Sequence, residues 1–295
     1  FSHALEEAGF PHHEELGAAR LRTGALGEVL RAEGGDALID RIAALIQGRS
    51  TSALGGLVSG SLDLDKIDYL SRDARNCGVP YGVIDVDRLL ASLTLVDTGT
   101  GREVGVHEKG VSALESLLFA KYQMYRNVYW HHAVRSATCK FKRAVRAVLR
   151  EHDPTGLAQA LRDRRLFKRA LDLPASEVPA TLPAWIAEDP DRLAAAEDTL
   201  AAQLDLAPGM VLIDYPARSS MLGVDLPLLT RDGRVERLTD AGRAGQLGLP
   251  RIAEELYASA RRLRIFTGET RTIVGIPEVL TESGEQRTAN RERRT

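Results

Sequence analysis

The chain has 295 residues, of which 44% are hydrophobic and 27% are charged, with a formal net charge of −2. This composition is typical of a globular protein with room for one large or two modest domains. The two cysteines exclude a disulfide framework or a zinc cluster, and no apolar run reaches the length that spans a membrane. We therefore expect reduced thiols and a cytoplasmic location.

The first residues contain two short polar segments that suit proton transfer. The chain opens on Phe1, Ser2 and His3, and residues 11–15 read PHHEE. A histidine such as His3 or His13 can donate a proton to a leaving oxygen, and a carboxylate such as Glu14 can orient the histidine or the water. The alternative is an ordinary helix start, at which acidic residues are favoured by the helix dipole.

Helical periodicity follows over residues 14–31 and 36–47, and residues 48–56 read as a loop. Residues 62–76 then predict a further helix that Gly78 closes and Pro80 stops. Its packing contacts are expected from three apolar residues, Leu64, Ile67 and Leu70.

The polar side of this helix carries groups that suit a metal ion or a phosphorylated ligand. Four side chains at helical spacing project from one side: Asp65, Tyr69, Arg72 and Asp73. Lys66 stands beside Asp65 and can turn its ammonium group toward a ligand there, and Asp68 is spaced for an ion pair with Arg72. The alternative is a solvated helix face with ordinary ion pairs.

The next segments predict a hairpin and a long helix. Residues 93–106 form the hairpin around a turn at 98–101, and residues 110–136 form the helix. A polar stripe lies along its second half: Lys121, Tyr125, Tyr129 and His132, with Tyr122 beside it. A lysine suits a phosphate, and a tyrosine ring can pack a base or sugar while its hydroxyl finds a polar partner. The alternative is an amphipathic helix whose tyrosines belong to the core.

The rest of the chain mixes basic segments, helices and short strands. A basic helix over residues 135–150 fits a solvated surface, an oligomer contact, a regulatory phosphate site or nucleic acid. A proline-bearing linker covers 174–183, and residues 184–203 and 250–260 predict helices. Strands are predicted over 210–216 and 263–266, with a hairpin turn at 231–233. From residue 281 the chain is polar, charged and expected to be disordered.

The helix at residues 62–76 also resembles a known family. Its run D-x-D-K-x-D-Y-x-x-R-D, followed by G-V-x-Y-G, resembles the late motif of HD-domain phosphohydrolases, and most of all the deoxynucleoside triphosphate triphosphohydrolases and their bacterial relatives. The resemblance implies that Asp65 is the last ligand of a divalent metal (Mg, Mn, Fe, Zn, Ni or Co) held by an H…HD…D set. In the family, F-S-H directly follows the HD segment, so the other ligands are expected upstream in a longer natural chain.

The resemblance implies roles for the remaining polar segments. His3 matches the F-S-H histidine, and His13 and Glu14 match the family's second segment, so these three residues would assist phosphoryl chemistry. The run A-K-Y-x-M-Y-x-x-V-Y-x-H-H resembles the segment that contacts triphosphate, sugar and base, although Lys121 replaces the usual arginine. The implied substrate-binding residues are Lys66, Tyr69, Asp73, Lys121, Tyr125 and Tyr129.

We therefore expect a mainly α fold, with an HD-domain helical core over residues 1–150, a small α+β C-terminal lobe over 151–280 and a disordered tail over 281–295. The implied reaction is hydrolysis of a deoxynucleoside triphosphate to the deoxynucleoside and inorganic triphosphate, by a longer chain than this one. The alternatives are an HD enzyme for another phosphoester and a nucleotide-sensing protein without catalysis.

The expected partners are the deoxynucleotide substrate, a regulatory nucleotide and further copies of the chain, without membrane or nucleic acid. The preferred deoxynucleotide, the metal and the oligomeric state are not specified by the sequence.

Overall fold

The computed structural model describes residues 2–7, 9–149, 157–216, 225–238, 255 and 258–281. Within these residues the helices are α1 (Ser2–Glu6), α2 (His13–Arg20), α3 (Gly24–Ile46), α4 (Gly56–Ser59), α5 (Leu64–Asn76), α6 (Val86–Leu90), α7 (Val111–Met124), α8 (His132–Leu149), α9 (Leu157–Arg162), α10 (Trp185–Glu188) and α11 (Pro190–Gln203). The strands are β1 (Leu93–Asp97), β2 (Arg102–His107), β3 (Lys168–Pro174), β4 (Val211–Asp214), β5 (Pro227–Leu229), β6 (Val235–Arg237) and β7 (Arg262–Thr267). The expected mainly α fold with small sheets is confirmed.

The N-terminal helices break at different places from those predicted. The first predicted helix, over residues 14–31, ends already at Arg20 as α2. Helix α3 then runs through the predicted gap at residues 32–35. A kink at Gly34 and Gly35 interrupts α3, and Gly35 has φ 65° and ψ −169°, which is a conformation essentially confined to glycine. The kink allows both halves of α3 to pack on α2 through a small cluster that includes Ile39.

Helix α5 follows the prediction closely. The side chain of Asp63 accepts a hydrogen bond from the backbone N–H of Lys66 (2.9 Å) and caps the helix start, and Gly78 follows the last turn with φ 66°. Ile67 and Leu70 are buried, but Leu64 is 47% exposed, so its predicted packing role is wrong. Because α5 begins two residues later than expected, Leu62 precedes the helix and takes the buried position.

The first sheet has the strand order β1-β2-β5-β6 and joins distant parts of the chain. The predicted hairpin pairs β1 and β2 in antiparallel register, with Leu93 opposite Val106. Strand β2 then pairs in parallel with β5, with Val106 opposite Leu228, and β5 and β6 form the second predicted hairpin. A Cβ atom at Gly105 would approach the carbonyl oxygen of Pro227 to 2.6 Å, so the two backbones meet closely because this position is glycine.

The main core lies between α5, α6, α7 and the first sheet. Its fully buried members come from each of these elements: Leu70, Leu89, Leu114, Met124 and Leu228. Burying an aliphatic side chain of this size stabilises the fold by about 1.5–3 kcal/mol. This core fixes α5 against α7, and these two helices, with residues 125–129 directly after α7, carry most of the residues predicted for the site.

The second sheet has the strand order β3-β7-β4, all antiparallel. Helices α8 and α11 pack on it, and its core includes Leu200, Ile213 and Ile265. Sequence analysis predicted β4 and β7 but missed β3. The predicted helix 184–203 is divided at Asp189, whose carboxylate accepts hydrogen bonds from the first backbone N–H groups of α11.

Two expectations concern residues that are largely or wholly outside this description. The predicted helix at 250–260 falls mostly on them, and residues 282–295 of the predicted tail fall on them entirely. The domain boundary at residue 150 stays a prediction, with the first sheet drawing strands from both sides of it. Among the described residues, no helix combines the length and the hydropathy that crossing a bilayer requires.

Candidate functional site

Three tyrosines meet where α5 faces the end of α7. Tyr69 comes from α5, and Tyr125 and Tyr129 come from a π-helical segment, Tyr125–Tyr129, that follows α7. The ring centroids of Tyr69 and Tyr129 are 6.3 Å apart, and those of Tyr125 and Tyr129 are 5.1 Å apart, both in edge-on geometry. This is a favourable arrangement for aromatic rings, and we call the three residues the tyrosine cluster. The structure thus brings together side chains that the sequence placed on two separate helices.

The π segment, followed by Trp130 and His131, separates α7 from α8. Its hydrogen bonds skip one residue more than α-helical bonds, as in the bond from Trp130 N–H to the Tyr125 carbonyl (2.7 Å). The predicted single helix over 110–136 is therefore wrong, and so is the stripe that continued to His132. Instead His132 begins α8, where burial lowers its pKa and the charges of Arg169 and Arg264 lower it further.

The hydroxyl groups of the tyrosine cluster are tied to α5. Tyr129 Oη donates to Asp73 Oδ2 at 2.8 Å, and Tyr69 itself belongs to α5. Burial is the largest cause that raises the pKa of each of the three phenols above its usual value. They remain protonated at neutral pH and can donate hydrogen bonds, while the carboxylate of Asp73 holds the position of one ring.

Two lysines lie beside the tyrosine cluster. Lys121 is only 6% exposed, and burial lowers its pKa to about 8, with a further lowering by Lys66 and an opposing effect of Asp63. Lys66 Nζ donates to the Gly60 carbonyl (3.0 Å) and pairs with the Asp63 carboxylate. Lys66 is thus turned toward Asp63, the capping residue, and not toward Asp65. Sequence analysis missed Asp63, although an aspartate three residues before Lys66 is a signal for a helix cap.

The proposed metal ligand, Asp65, lies exposed in the first turn of α5. Within the part of the chain that the structure describes, Asp65 belongs to no group of three His, Cys, Asp or Glu side chains close enough to share an ion. A single carboxylate is too few for a stable metal site. The assignment of Asp65 as a metal ligand therefore stays a prediction.

A second group of polar residues forms where α1 meets α2. Glu6 Oε1 accepts hydrogen bonds from the backbone N–H of His13 (2.9 Å) and from His13 Nδ1 (2.6 Å). The carboxylate of Glu14 lies 3.3 Å from the same ring nitrogen. The hydrogen bond to Glu6 is the largest cause that raises the pKa of His13. The two carboxylates thus surround the Nδ1 side of the His13 ring.

These three side chains could alternatively hold a metal ion, because their ligand atoms lie within 4.8 Å of one another. Sequence analysis predicted His13 and Glu14 but missed Glu6, for which the available signal was its position three residues after His3. The backbone at His3 lies in α1, but its side chain is outside the description, so the role of His3 stays a prediction.

Helix α8 connects the two groups. It continues the chain directly beyond the tyrosine cluster, and it holds α1 through the ion pair of Lys142 Nζ with Glu7 Oε1 (2.5 Å). Its other cations face the second sheet and α11: Arg135 pairs with Asp214 (2.5 Å), and Arg143 with Asp198 (2.6 Å). The basic helix of the sequence analysis thus makes ion pairs within the chain, and the expected absence of a nucleic-acid partner stays a prediction.

The chain is similar to proteins of archaea and bacteria. An uncharacterized protein of Methanocaldococcus jannaschii is 37% identical over 146 residues, which cover 49% of this chain and 30% of that protein. The uncharacterized protein YwfO of Bacillus subtilis is 29% identical over 154 residues, covering 52% of this chain and 35% of YwfO. The matched region spans about a third of the length of each relative.

Solved structures share the fold. A hypothetical protein from Aquifex aeolicus has a TM-score of 0.59 and 22% sequence identity, over 88% of this chain and 72% of its own. A phosphohydrolase from Bacteroides thetaiotaomicron has a TM-score of 0.60 and 17% identity, over 91% of this chain and 76% of its own. At these identities the likeness establishes the architecture.

The family described as the HD associated region provides the more specific match. Its profile covers residues 84–156 and 147–243, a stretch that includes the hairpin, the tyrosines of the π segment, the basic helix α8 and the second sheet up to β4. More than half of the chain is matched, and the chain therefore belongs to the family of the HD associated region.

Proposed function

We propose that the protein is a metal-dependent phosphohydrolase that converts deoxynucleoside triphosphates to the deoxynucleoside and inorganic triphosphate. The observation that supports this most is the combination of a tyrosine cluster, a nearly buried lysine and a metal-type carboxylate on two facing helices. Membership in the HD associated region family and the fold shared with a phosphohydrolase from Bacteroides thetaiotaomicron agree with this chemistry.

In this proposal the nucleotide binds where α5 faces the end of α7. The ammonium group of Lys121, whose pKa is lowered to about 8 by burial, still carries its charge on most molecules at neutral pH and would contact the phosphate chain. Lys66 would add a second cation by releasing Asp63. Tyr69, Tyr125 and Tyr129 would pack the sugar and base, since their rings are partly buried and their hydroxyls can donate hydrogen bonds.

Asp65 would be one ligand of the divalent metal, together with ligands from elsewhere in the natural protein. When bound, such an ion polarises a phosphate oxygen and lowers the pKa of water. Its identity among Mg, Mn, Fe, Zn, Ni and Co is open.

His13 would supply the proton that the leaving oxygen requires. Its Nδ1 is held by Glu6 at 2.6 Å, which fixes the orientation of the ring. Because the hydrogen bond to Glu6 raises its pKa, more of the imidazole is protonated near neutral pH, as a general acid needs. Glu14 would keep the ring oriented, and His3 would share the proton transfers.

The test is steady-state kinetics of the full-length protein with a deoxynucleoside triphosphate, diphosphate and monophosphate. Losing a hydrogen bond between Lys121 and the phosphate chain should lower kcat/KM about ten- to a hundredfold. We expect Lys121→Ala to show this loss with the triphosphate and much less with the other two. Lys121→Arg should retain much of the activity, because the cation is preserved.

Lys168→Ala is the matched control, because Lys168 is exposed at the start of β3, and it should leave all three rates unchanged. Equal slowing of all three substrates by Lys121→Ala would contradict the proposed orientation of the triphosphate. Asp65→Ala should also abolish both metal binding and hydrolysis in the full-length protein. A stoichiometric metal content in that variant would show that Asp65 is not a metal ligand.

A second candidate keeps the chemistry but changes the substrate. The fold is shared with a protein named only as a phosphohydrolase, and the residues around His13 would serve another phosphoester equally well. A screen of phosphomonoesters and phosphodiesters separates the two. Nucleotide binding without hydrolysis by the full-length, metal-loaded protein would instead favour a sensing role.

A further inference from the structure

Tyr125 and Tyr129 also contact residues outside the tyrosine cluster. Among these, Tyr122, one turn before the π segment, is only 8% exposed. Its hydroxyl lies 3.0 Å from Ser259 Oγ and accepts a hydrogen bond from Arg126 Nη1 at 2.6 Å. Ser259 belongs to the C-terminal residues 258–260 that lead into β7, so a distant part of the chain reaches the helix that carries Tyr122.

An apolar contact accompanies this hydrogen bond. Trp130, 7% exposed, forms a buried cluster with Tyr122 and Ala260, and Tyr125 and Tyr129 pack against it. The ring of Tyr125 meets that of Trp130 edge-on, with centroids 5.8 Å apart. The same two tyrosines therefore contact α5 on one side and a cluster that contains the C-terminal segment on the other.

The π segment makes this support mechanically important. A π-helical turn is less favourable than an α-helical one and is frequently found at functional sites, so its side chains depend on packing to hold one position. Here that packing is supplied by Tyr122, Trp130 and residues 258–260. Because Trp130 clusters with Ala260 and meets the ring of Tyr125, a shift of residues 258–260 would move Trp130 and, with it, Tyr125.

We propose that residues 258–260 set the geometry of the nucleotide pocket, with Tyr122 and Ser259 as positioning residues for the tyrosine cluster. The identity of the ligand rests on the proposed function. Residues 258–260 then affect substrate affinity, although the proposed phosphate contacts come from Lys66 and Lys121.

The first test measures kcat and KM of the full-length protein with dGTP, dATP, dTTP and dCTP. Ser259→Ala removes one end of the hydrogen bond between Tyr122 and Ser259, and we expect it to raise KM about three- to tenfold, the effect of one neutral hydrogen bond. Tyr122→Phe removes the other end and also the acceptor of the hydrogen bond from Arg126 Nη1, so its KM should rise at least as much. We expect kcat to stay within about twofold, since no reacting atom is touched, and Ser259→Thr to restore the wild-type KM. Because Tyr122→Phe already breaks the bond to Ser259, the double variant should equal Tyr122→Phe alone.

Tyr215→Phe is the control. Tyr215 lies next to the same segment, with Arg261 Cζ 3.6 Å from its ring centroid, but it does not take part in the hydrogen bond between Tyr122 and Ser259. The KM of this variant should equal the wild-type value. A lower Tm with unchanged KM in both Tyr122→Phe and Ser259→Ala would show a merely structural contact and overturn the proposal.

The second test does not depend on the substrate. The chain has two tryptophans, so Trp185→Phe leaves Trp130 as the reporter of the contact. We expect Ser259→Ala in this background to shift the fluorescence emission of Trp130 to longer wavelength without nucleotide. If the wild-type protein hydrolyses none of the four nucleotides, the proposed function fails, and the emission spectrum alone then tests the positioning role. An unchanged emission of Trp130 in Ser259→Ala would overturn that role.

Discussion

A lysine held between two tyrosine-bearing helices loses hydration that its ammonium group keeps in water. Lys121 is 6% exposed, and burial is the largest cause that lowers its pKa to about 8. A charge in that position is costly, and a nearby anion would relieve the cost. In the proposed function that anion would be the phosphate chain of the nucleotide.

This environment makes the stability of the protein depend on pH in a defined direction. Between the native pKa of about 8 and the model-peptide value of 10.5, the unfolded chain binds the proton and the native chain does not, so stability rises with pH in this window. Lys121→Met removes the cost, and we expect it to be more stable than wild type at pH 7, by up to about 3 kcal/mol at about 1.4 kcal/mol per pKa unit. The difference should shrink as the pH rises through 8 toward 10.5.

Urea unfolding of both proteins at pH 7 and pH 10 measures the effect. Lys140 also has its pKa lowered to about 8 by burial, but it is present in both proteins and cancels in the comparison. A stability difference that is the same at both pH values would show that Lys121 is not a buried charge.

At the scale of elements, the kink in α3 depends on one backbone conformation. Gly35 has φ 65° and ψ −169°, which a residue with a Cβ adopts only at a cost of about 1–3 kcal/mol. We expect Gly35→Ala to lower the free energy of unfolding by that amount. Gly17→Ala is the control, because Gly17 lies inside α2 and a Cβ there would meet Ile46 only at 4.0 Å; it should stabilise by about 0.5–1 kcal/mol.

Thermal unfolding of the two alanine variants gives the comparison. Equal Tm values for Gly35→Ala and wild type would show that α3 can straighten without loss.

Local signals predicted those elements whose ends depend on nearby residues. Helix α5 was found within two residues because Gly78 and Pro80 mark its end and the apolar spacing of Ile67 and Leu70 marks its face. The π segment left no such signal, since one extra residue in a turn disturbs the helical period only beyond it. The contact of Glu6 with His13 was missed for another reason: it exists only because α1 and α2 meet.

The meeting of Tyr69 with Tyr125 and Tyr129 was reached through the resemblance of two motifs to one family, and not through periodicity. Spacing along each helix could place these residues on one face, but it could not state that the two faces would touch. That information lies in the tertiary packing of α5 on α7.

At the scale of the whole molecule, ion pairs hold α8 against the second sheet. Arg135 binds both carboxylate oxygens of Asp214, which is 3% exposed. Removing one partner of a buried pair costs about 3–5 kcal/mol because the other charge stays buried. We expect Arg135→Met to lose this amount in urea unfolding, whereas Arg72→Met should lose less than about 1 kcal/mol, since the pair of Arg72 with Asp68 is exposed.

Arg264 provides the internal check on this prediction. Its Nη1 lies 3.7 Å from Asp214 Oδ2, near enough to approach the carboxylate once Arg135 is gone. A loss below about 1 kcal/mol in Arg135→Met would mean that Arg264 replaces it, and the double variant with Arg264→Met would then reveal the missing cost.

The parallel pairing of β2 with β5 ties the order of synthesis to the order of folding. Strand β2 leaves the ribosome more than one hundred residues before its neighbour, and contacts so far apart in the chain form slowly. Until β5 is synthesised, the edge of β2 that faces away from β1 presents unpaired backbone groups. Such an edge can pair with other chains. The first sheet is therefore complete only after more than one hundred further residues have been synthesised, and a chain that stalls before β5 is expected to aggregate through this edge.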